Sequence, residues 1–182
     1  MTTNHPLWPL AIRLFHWLTL ILVVASWALM ELREDTPKGS LERDMWMSWH
    51  ISVGVLVLCV TVIRLMWRAA SIAPELNLVK WQQRLSRLVQ AGLYFTLVAL
   101  PVTGLLARQF SGKTILIANS WLWPQVTAIN KDLGHWFEEI HEDVLWPLLL
   151  TLVAVHAGAA LLHHFYWRDD TLRSMLKQRE DH

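Results

Sequence analysis

Four apolar stretches, each about as long as a lipid bilayer is thick, limit what this chain can fold into. A helix rising about 1.5 Å per residue needs about 20 mostly apolar residues to cross about 30 Å of hydrocarbon. Stretches 9–30, 46–67, 88–107 and 144–166 meet that requirement. Inside lipid every backbone N–H and carbonyl has to be paired within the protein, which makes helices the expected state. The expectation is an all-α fold, one four-transmembrane-helix bundle with residues 1–182 as a single domain. The first stretch lacks a Lys/Arg start and a small-residue cleavage site, so it reads as a span and not as a signal peptide. Pro101 and Pro147 fall inside the third and fourth spans, where neighbours satisfy freed carbonyls. Segment 167–182 reads as a short polar tail.

Composition narrows the class. The chain is 54% hydrophobic and 17% charged, far from the low-hydropathy, high-charge corner where disorder lies. Sixteen Lys and Arg against fifteen Asp and Glu leave no basic excess for nucleic acid. The single cysteine, Cys59, excludes an internal disulfide and a cysteine-rich metal site. It stands nine residues after His50, hence on the opposite helix face, and reads as packing.

Four spans put both termini on one side. Ten of the sixteen Lys and Arg fall on that side, which places the termini in the cytoplasm by the positive-inside rule. The acids run the other way, leaving the outer side with six cations and ten carboxylates. Trp8, Trp46, Trp49, Trp67, Trp121, Trp123 and Trp167 lie near the expected boundaries, as interfacial belts require.

Histidines within apolar spans are costly and by default functional. His16 lies about two turns inside span one, His50 about one turn inside span two, and His141 just before span four. His156 follows His141 by fifteen residues, about 22 Å along a helix and within about 60° of the same face. By depth they sort into two pairs on different helices: His50 with His141 toward the outer side, His16 with His156 toward the inner. Two stacked pairs suit the axial ligation of two haem irons. Absence of a Cys-x-x-Cys-His motif excludes covalently attached haem. A zinc site would need ligands converging on one centre, which layers about 22 Å apart do not provide. The plain alternative is four hydrogen-bonding histidines tying a structural bundle together. Arg13, Arg64 and Arg68 read either as positive-inside anchors or as partners of haem propionates. Gly54 and the run Ala157-Gly158-Ala159-Ala160 suit the approach of a flat macrocycle, or close helix packing.

The chain also resembles the bacterial cytochrome b561 family. The resemblance rests on Arg13-Leu14-Phe15-His16-Trp17, on the segments Met30-Glu31-Leu32-Arg33 and Pro37-Lys38-Gly39-Ser40, and on Leu100-Pro101-Val102-Thr103-Gly104-Leu105. It continues through His156, His163-His164 and Trp167-Arg168-Asp169-Asp170-Thr171-Leu172. It implies two haem b groups, held by His16 with His156 and by His50 with His141. Relatives commonly carry a histidine where this chain has Gln90, and usually space the two fourth-span ligands fourteen apart. A bulge at Pro147 is expected to absorb the extra residue, with His135 as the spare should the register slip.

From the resemblance follow a bacterial inner-membrane location, exchange of electrons with ubiquinone, and a quinone-pocket role for His163. It further implies a superoxide oxidase, which takes electrons from superoxide at the outer face. The acidic outer side argues instead for a basic periplasmic partner such as a c-type cytochrome, unless Lys38, Arg43, Arg108 or Lys113 form a local positive funnel. The alternative function is a haem-bearing membrane subunit relaying electrons between a larger dehydrogenase or reductase and quinone. His5 and His182 read as solvated tails.

Overall fold

The computed structural model describes residues 9–70, 79–168, 172 and 175; His5 and His182 lie outside them. Helix α1 spans Leu10–Glu34, α2 Leu41–Ala70 and α3 Lys80–Ser111. A hairpin of two-residue strands, β1 (Leu116–Ile117) and β2 (Trp121–Leu122), departs from an all-helical chain. The fourth rod is composite: α4 (Lys131–Glu139), a wide π turn (Ile140–Leu145), α5 (Trp146–Leu162), then a second π turn (His163–Trp167). Four helical segments, counting this rod as one, are long and apolar enough to cross a membrane.

Each helix outruns the apolar stretch that predicts it. Helix α3 begins eight residues before residue 88, because Lys80, Gln82, Gln83 and Arg84 are good helix formers. Helix α2 begins at Leu41, so His50 sits two and a half turns inside it instead of one. His141, expected just before the fourth span, lies within its continuous rod.

The ends are fixed by local chemistry. Ser40 accepts a hydrogen bond from the Arg43 amide to start α2, and Arg43 donates to the carbonyls of Arg33 and Thr36 at 2.6 and 2.8 Å. Those carbonyls belong to the last turn of α1 and the residues just beyond it, where helix acceptors have no intrahelical partner. Gly112 closes α3 with φ +66°. The side chain of Asn130 accepts from the Leu133 amide to open α4. Ser48 and Ser52, on either side of His50, pin the hairpin to α2 through the Leu116 carbonyl and the Asn119 and Ala118 amides. Gly134 has no room for a side chain, since a Cβ there would meet the Ser111 backbone nitrogen at 2.8 Å. That close fit seats α4 on the end of α3.

Helix α1 packs on α2, α2 on α3, and α3 on α4 and α5. Leu22, Val57, Val60, Leu97, Leu100, Leu145 and Leu149 form the core. The outward faces are apolar, with Leu14, Ile21, Met66, Leu88 and Phe95 largely exposed, as lipid-facing surfaces are. Cys59 is on this exposed face. The sequence expectation of packing is corrected here: the face opposite His50 looks outward.

Candidate functional site

The four span histidines stand in two pairs between the helical rods. The rings of His16 (α1) and His156 (α5) have centres 6.2 Å apart, with planes inclined at 62°. Those of His50 (α2) and His141 (π turn) are 6.3 Å apart at 83°. Each pair therefore joins different helical rods, and the two pairs lie toward opposite ends of the bundle. Among the described residues no three His, Cys, Asp or Glu side chains gather as a metal-ion site.

The π turn governs how the fourth rod presents both of its histidines. The Trp146 amide donates to the His141 carbonyl five residues back, which makes the turn one residue wider than an α turn. Pro147 follows directly and has no amide to offer the α-helical acceptor four residues before it. The expected bulge thus lies on the N-terminal side of the proline. With one residue absorbed, fifteen positions rotate like fourteen, leaving His141 and His156 about 40° from a common face.

The two pairs differ in what their second ring nitrogen does. His50 donates from Nδ1 to the Ser26 carbonyl at 2.9 Å, with the Ser26 hydroxyl at 3.1 Å. His141 donates from Nδ1 to the Leu100 carbonyl at 2.8 Å. A carbonyl only accepts, so both rings carry hydrogen on Nδ1 and keep the Nε2 lone pair free for a metal. The Nδ1 atom of His16 lies 3.1 Å from Nη2 of Arg64, so for His16 to bind a metal through Nε2 this guanidinium has to turn to another acceptor.

Around His50 and His141 lies a cavity of about 470 Å³, floored by Gly54, Leu100, Pro101 and Gly104. Gly104 packs tightly there: a Cβ would lie 3.0 Å from Cε1 of the His141 ring. Arg33, Arg108, Glu31, Glu34, Glu138 and Glu142 border the cavity. Of the four cations considered for a positive funnel, Arg108 alone borders it. Arg43 is spent on helix-end carbonyls, and Lys113 pairs with Glu138 at 3.4 Å.

At the His16 end, Arg64 also lies over the Tyr94 ring, 5.3 Å from its centre. Arg68 donates to the Gln90 side chain at 3.3 Å, and Gln90 donates to Ser86 at 3.0 Å. Gln90 is thus part of a polar link between α2 and α3. The Nε atoms of Arg13 and Arg64 at this end, and of Arg33 and Arg108 at the other, are buried without a hydrogen-bond partner. Unpaired guanidinium donors beside each histidine pair are what carboxylate groups of a bound ligand would satisfy. Reading the sequence missed Arg33; the signal was an arginine at the end of the first apolar stretch, facing Arg108 at the end of the third.

His163 is half-buried in the second π turn, its ring 4.7 Å from that of Trp167. It belongs to neither pair. His135 pairs with Glu139 at 3.4 Å on an exposed face and does not join the cavity.

These residues fit haem. A metal–imidazole bond of about 2 Å plus about 1.1 Å to the ring centre, counted twice, puts ring centres about 6 Å apart. Both pairs have that separation.

Comparison with known proteins agrees with the architecture. The family model described as prokaryotic cytochrome b561 matches residues 7–178. Cytochrome b561 homolog 1 of Escherichia coli K12 is 34% identical over 91% of this chain and 94% of its own length. A probable superoxide oxidase CybB of Yersinia pestis is 29% identical over 90% and 92%, and E. coli cytochrome b561 homolog 2 is 30% identical over 89% and 87%. A bundle with four membrane-length helical segments and two inter-helix histidine pairs, matched along nearly all of its length, belongs to the prokaryotic cytochrome b561 family, whose members are haem b membrane electron-transfer proteins.

Proposed function

We propose that the chain is a di-haem quinone-linked oxidoreductase of the bacterial inner membrane that oxidises superoxide at its outer face. The observation that carries this reading is the pair of inter-helix histidine contacts, with ring centres 6.2 and 6.3 Å apart, which would let each pair hold one haem iron between them. His16 with His156 and His50 with His141 are the proposed ligands. Haem b supplies a one-electron centre at each pair. Arg13 and Arg64 at the inner end, and Arg33 and Arg108 at the outer, are the proposed propionate partners. Arg68 is committed to Gln90 and is better read as holding α2 on α3. The positive-inside bias of Lys and Arg puts both termini in the cytoplasm and the His50 end outside. In the balanced reaction two superoxide ions lose one electron each and leave as dioxygen. The two electrons and two protons convert ubiquinone to ubiquinol, with His163 proposed to contact the quinone. The 29% identity to a probable superoxide oxidase supports the choice of donor.

A second reading is favoured by the four glutamates against two arginines at the outer cavity. Such a surface attracts a cationic donor, and the chain would then relay electrons between a basic periplasmic redox protein, or a larger dehydrogenase, and quinone. Purified protein settles the choice. Two haem b per chain by pyridine haemochrome, with ubiquinol formed from superoxide by this chain alone, supports the first reading. Two haems and no reduction by superoxide supports the relay.

A further inference from the structure

We propose that segment 114–130, which joins α3 to α4, is seated in the lipid interface of the membrane the chain spans, with Trp121, Leu122, Val126 and Ile129 turned into the bilayer. The inference goes beyond the redox reading and does not depend on it, since it needs only the membrane-length helices.

Position along the bundle is the first observation. The Ala118 and Asn119 amides donate to the hydroxyls of Ser52 and Ser48 at 2.7 and 2.8 Å, so the hairpin lies along α2 and not above it. Ser52 follows Trp46, the start of the second apolar stretch, by six residues, about 9 Å along the helix. The face it occupies is the second. Ser48 and Ser52 each stand two residues from His50, which turns them about 160° from that histidine. Leu56, Cys59 and Ile63 fall within about 40° of Ser52 and are exposed. The hairpin therefore tops a stripe of α2 that meets lipid further along. Composition is the third observation. Residues 114–130 contain no Asp, Glu, Lys or Arg, and charge lies just outside them at Lys113 and Lys131. Trp121, Leu122, Val126 and Ile129 are each more than half exposed. Trp121 meets Trp123 edge-on with ring centres 5.5 Å apart, and tryptophan favours the headgroup level. Finally, polar groups of the segment are met from within the protein, as a place short of water requires. Gln109, 4% exposed, donates to the Pro124 carbonyl at 2.8 Å and accepts from the Val126 amide at 3.0 Å. Gln125 donates to the carbonyls of Gln109 and Thr127. The Trp123 and Asn130 amides donate to the carbonyls of Ile115 and Phe110. An uncharged, internally bonded patch at this depth is covered by phospholipid and not by a soluble partner.

Thiol labelling in lipid vesicles tests this. Leu122→Cys and Val126→Cys, made in the Cys59→Ser background, are compared with Lys38→Cys, an exposed position at the same end of the bundle. Each full chain is reconstituted in phosphatidylethanolamine–phosphatidylglycerol vesicles and treated with a membrane-impermeant sulfonated maleimide, with labelling read by mass. Lys38→Cys should label, whereas Leu122→Cys and Val126→Cys should lose that labelling and regain it once the vesicles are dissolved in sodium dodecyl sulfate. Labelling of either in vesicles at the level of Lys38→Cys overturns the proposal, because the segment then faces water. Protection that fades as the protein is diluted in lipid also overturns it, because a second copy of the chain is then the cover. If the variants do not assemble, the wild-type chain decides in vesicles carrying a diazirine-bearing phospholipid. Irradiation should leave lipid adducts within 114–130, and adducts confined to the four spans overturn the proposal.

Discussion

His50 donates its Nδ1 hydrogen to the carbonyl of Ser26, 2.9 Å away across the α1–α2 interface. This bond orients the ring and assigns its hydrogen, so that Nε2 faces the cavity as a free lone pair. Leu100 does the same for His141 from α3 at 2.8 Å. All four helical rods thus contribute to this pair and its partners, and none of the contacts is local in sequence.

The pairing makes a direct prediction. His50→Ala and His141→Ala should each lose one of two haems, and the same one by low-temperature visible spectrum. His16→Ala and His156→Ala should each lose the other. Loss of the same component by His50→Ala and His16→Ala would separate the rings now 6.3 Å apart into different sites.

Much of this arrangement is legible in sequence, for identifiable reasons. Span length and hydropathy follow from bilayer thickness, so α1, α2 and α3 are recognisable from their apolar runs. Depth along a helix follows from counting, so His16 with His156 and His50 with His141 are read without coordinates. What counting misses is supplied by neighbours. The Nδ1 partners are backbone carbonyls and Arg33, with its buried Nε, comes from a helix end, and neither leaves a spacing pattern. The polar ends of α3 and α4 lie outside the apolar runs and are helical through propensity and capping. Cys59 was misjudged because opposition to His50 fixes a direction but not what occupies it.

Gly104 makes a sharper test of the outer pair. An alanine Cβ would lie 3.0 Å from Cε1 and 3.1 Å from Nδ1 of His141, close enough to push the ring by a few tenths of an ångström. Gly104→Ala should perturb the spectrum of the His50/His141 component alone. Gly104→Val, with further carbons in the same space, should abolish that component, at an overpacking cost of about 1–3 kcal/mol. Equal damage to both components would contradict the assignment.

The π turn predicts an asymmetry between two deletions. Removing Val144 takes one residue from a turn that already holds one more than an α-helix needs. The rod should revert to α geometry, keep His141 and His156 about 40° from a common face, and retain two haems. Removing Thr151, within the regular α5, shortens a segment with no spare residue and turns His156 about 100° relative to His141. That variant should retain one haem at most by pyridine haemochrome. Equal haem content in the two deletions would deny the π turn its role.

Electrostatics at the mouth separate the possible donors. Four glutamates and two arginines border the His50/His141 cavity, a net charge that opposes an approaching anion and favours a cation. Raising the ionic strength from about 0.01 M to about 0.15 M shortens the screening length from about 30 Å to about 8 Å. Reduction by superoxide should therefore quicken, by about twofold. Reduction by a basic c-type cytochrome should slow over the same range. Stopped-flow traces in both donors give the two slopes on one preparation. A fall in the superoxide rate with salt would mean that the half-buried Arg33 and Arg108 dominate the path inward, and that the glutamates face away from it. Glu138→Gln discriminates further, because Glu138 is half-buried and held by Lys113 at 3.4 Å, at the end of the cavity where α3 meets α4. Removing its charge should speed the anionic donor and slow the cationic one, and a change of the same sign for both would show that the residue acts on the site's architecture and not through its field.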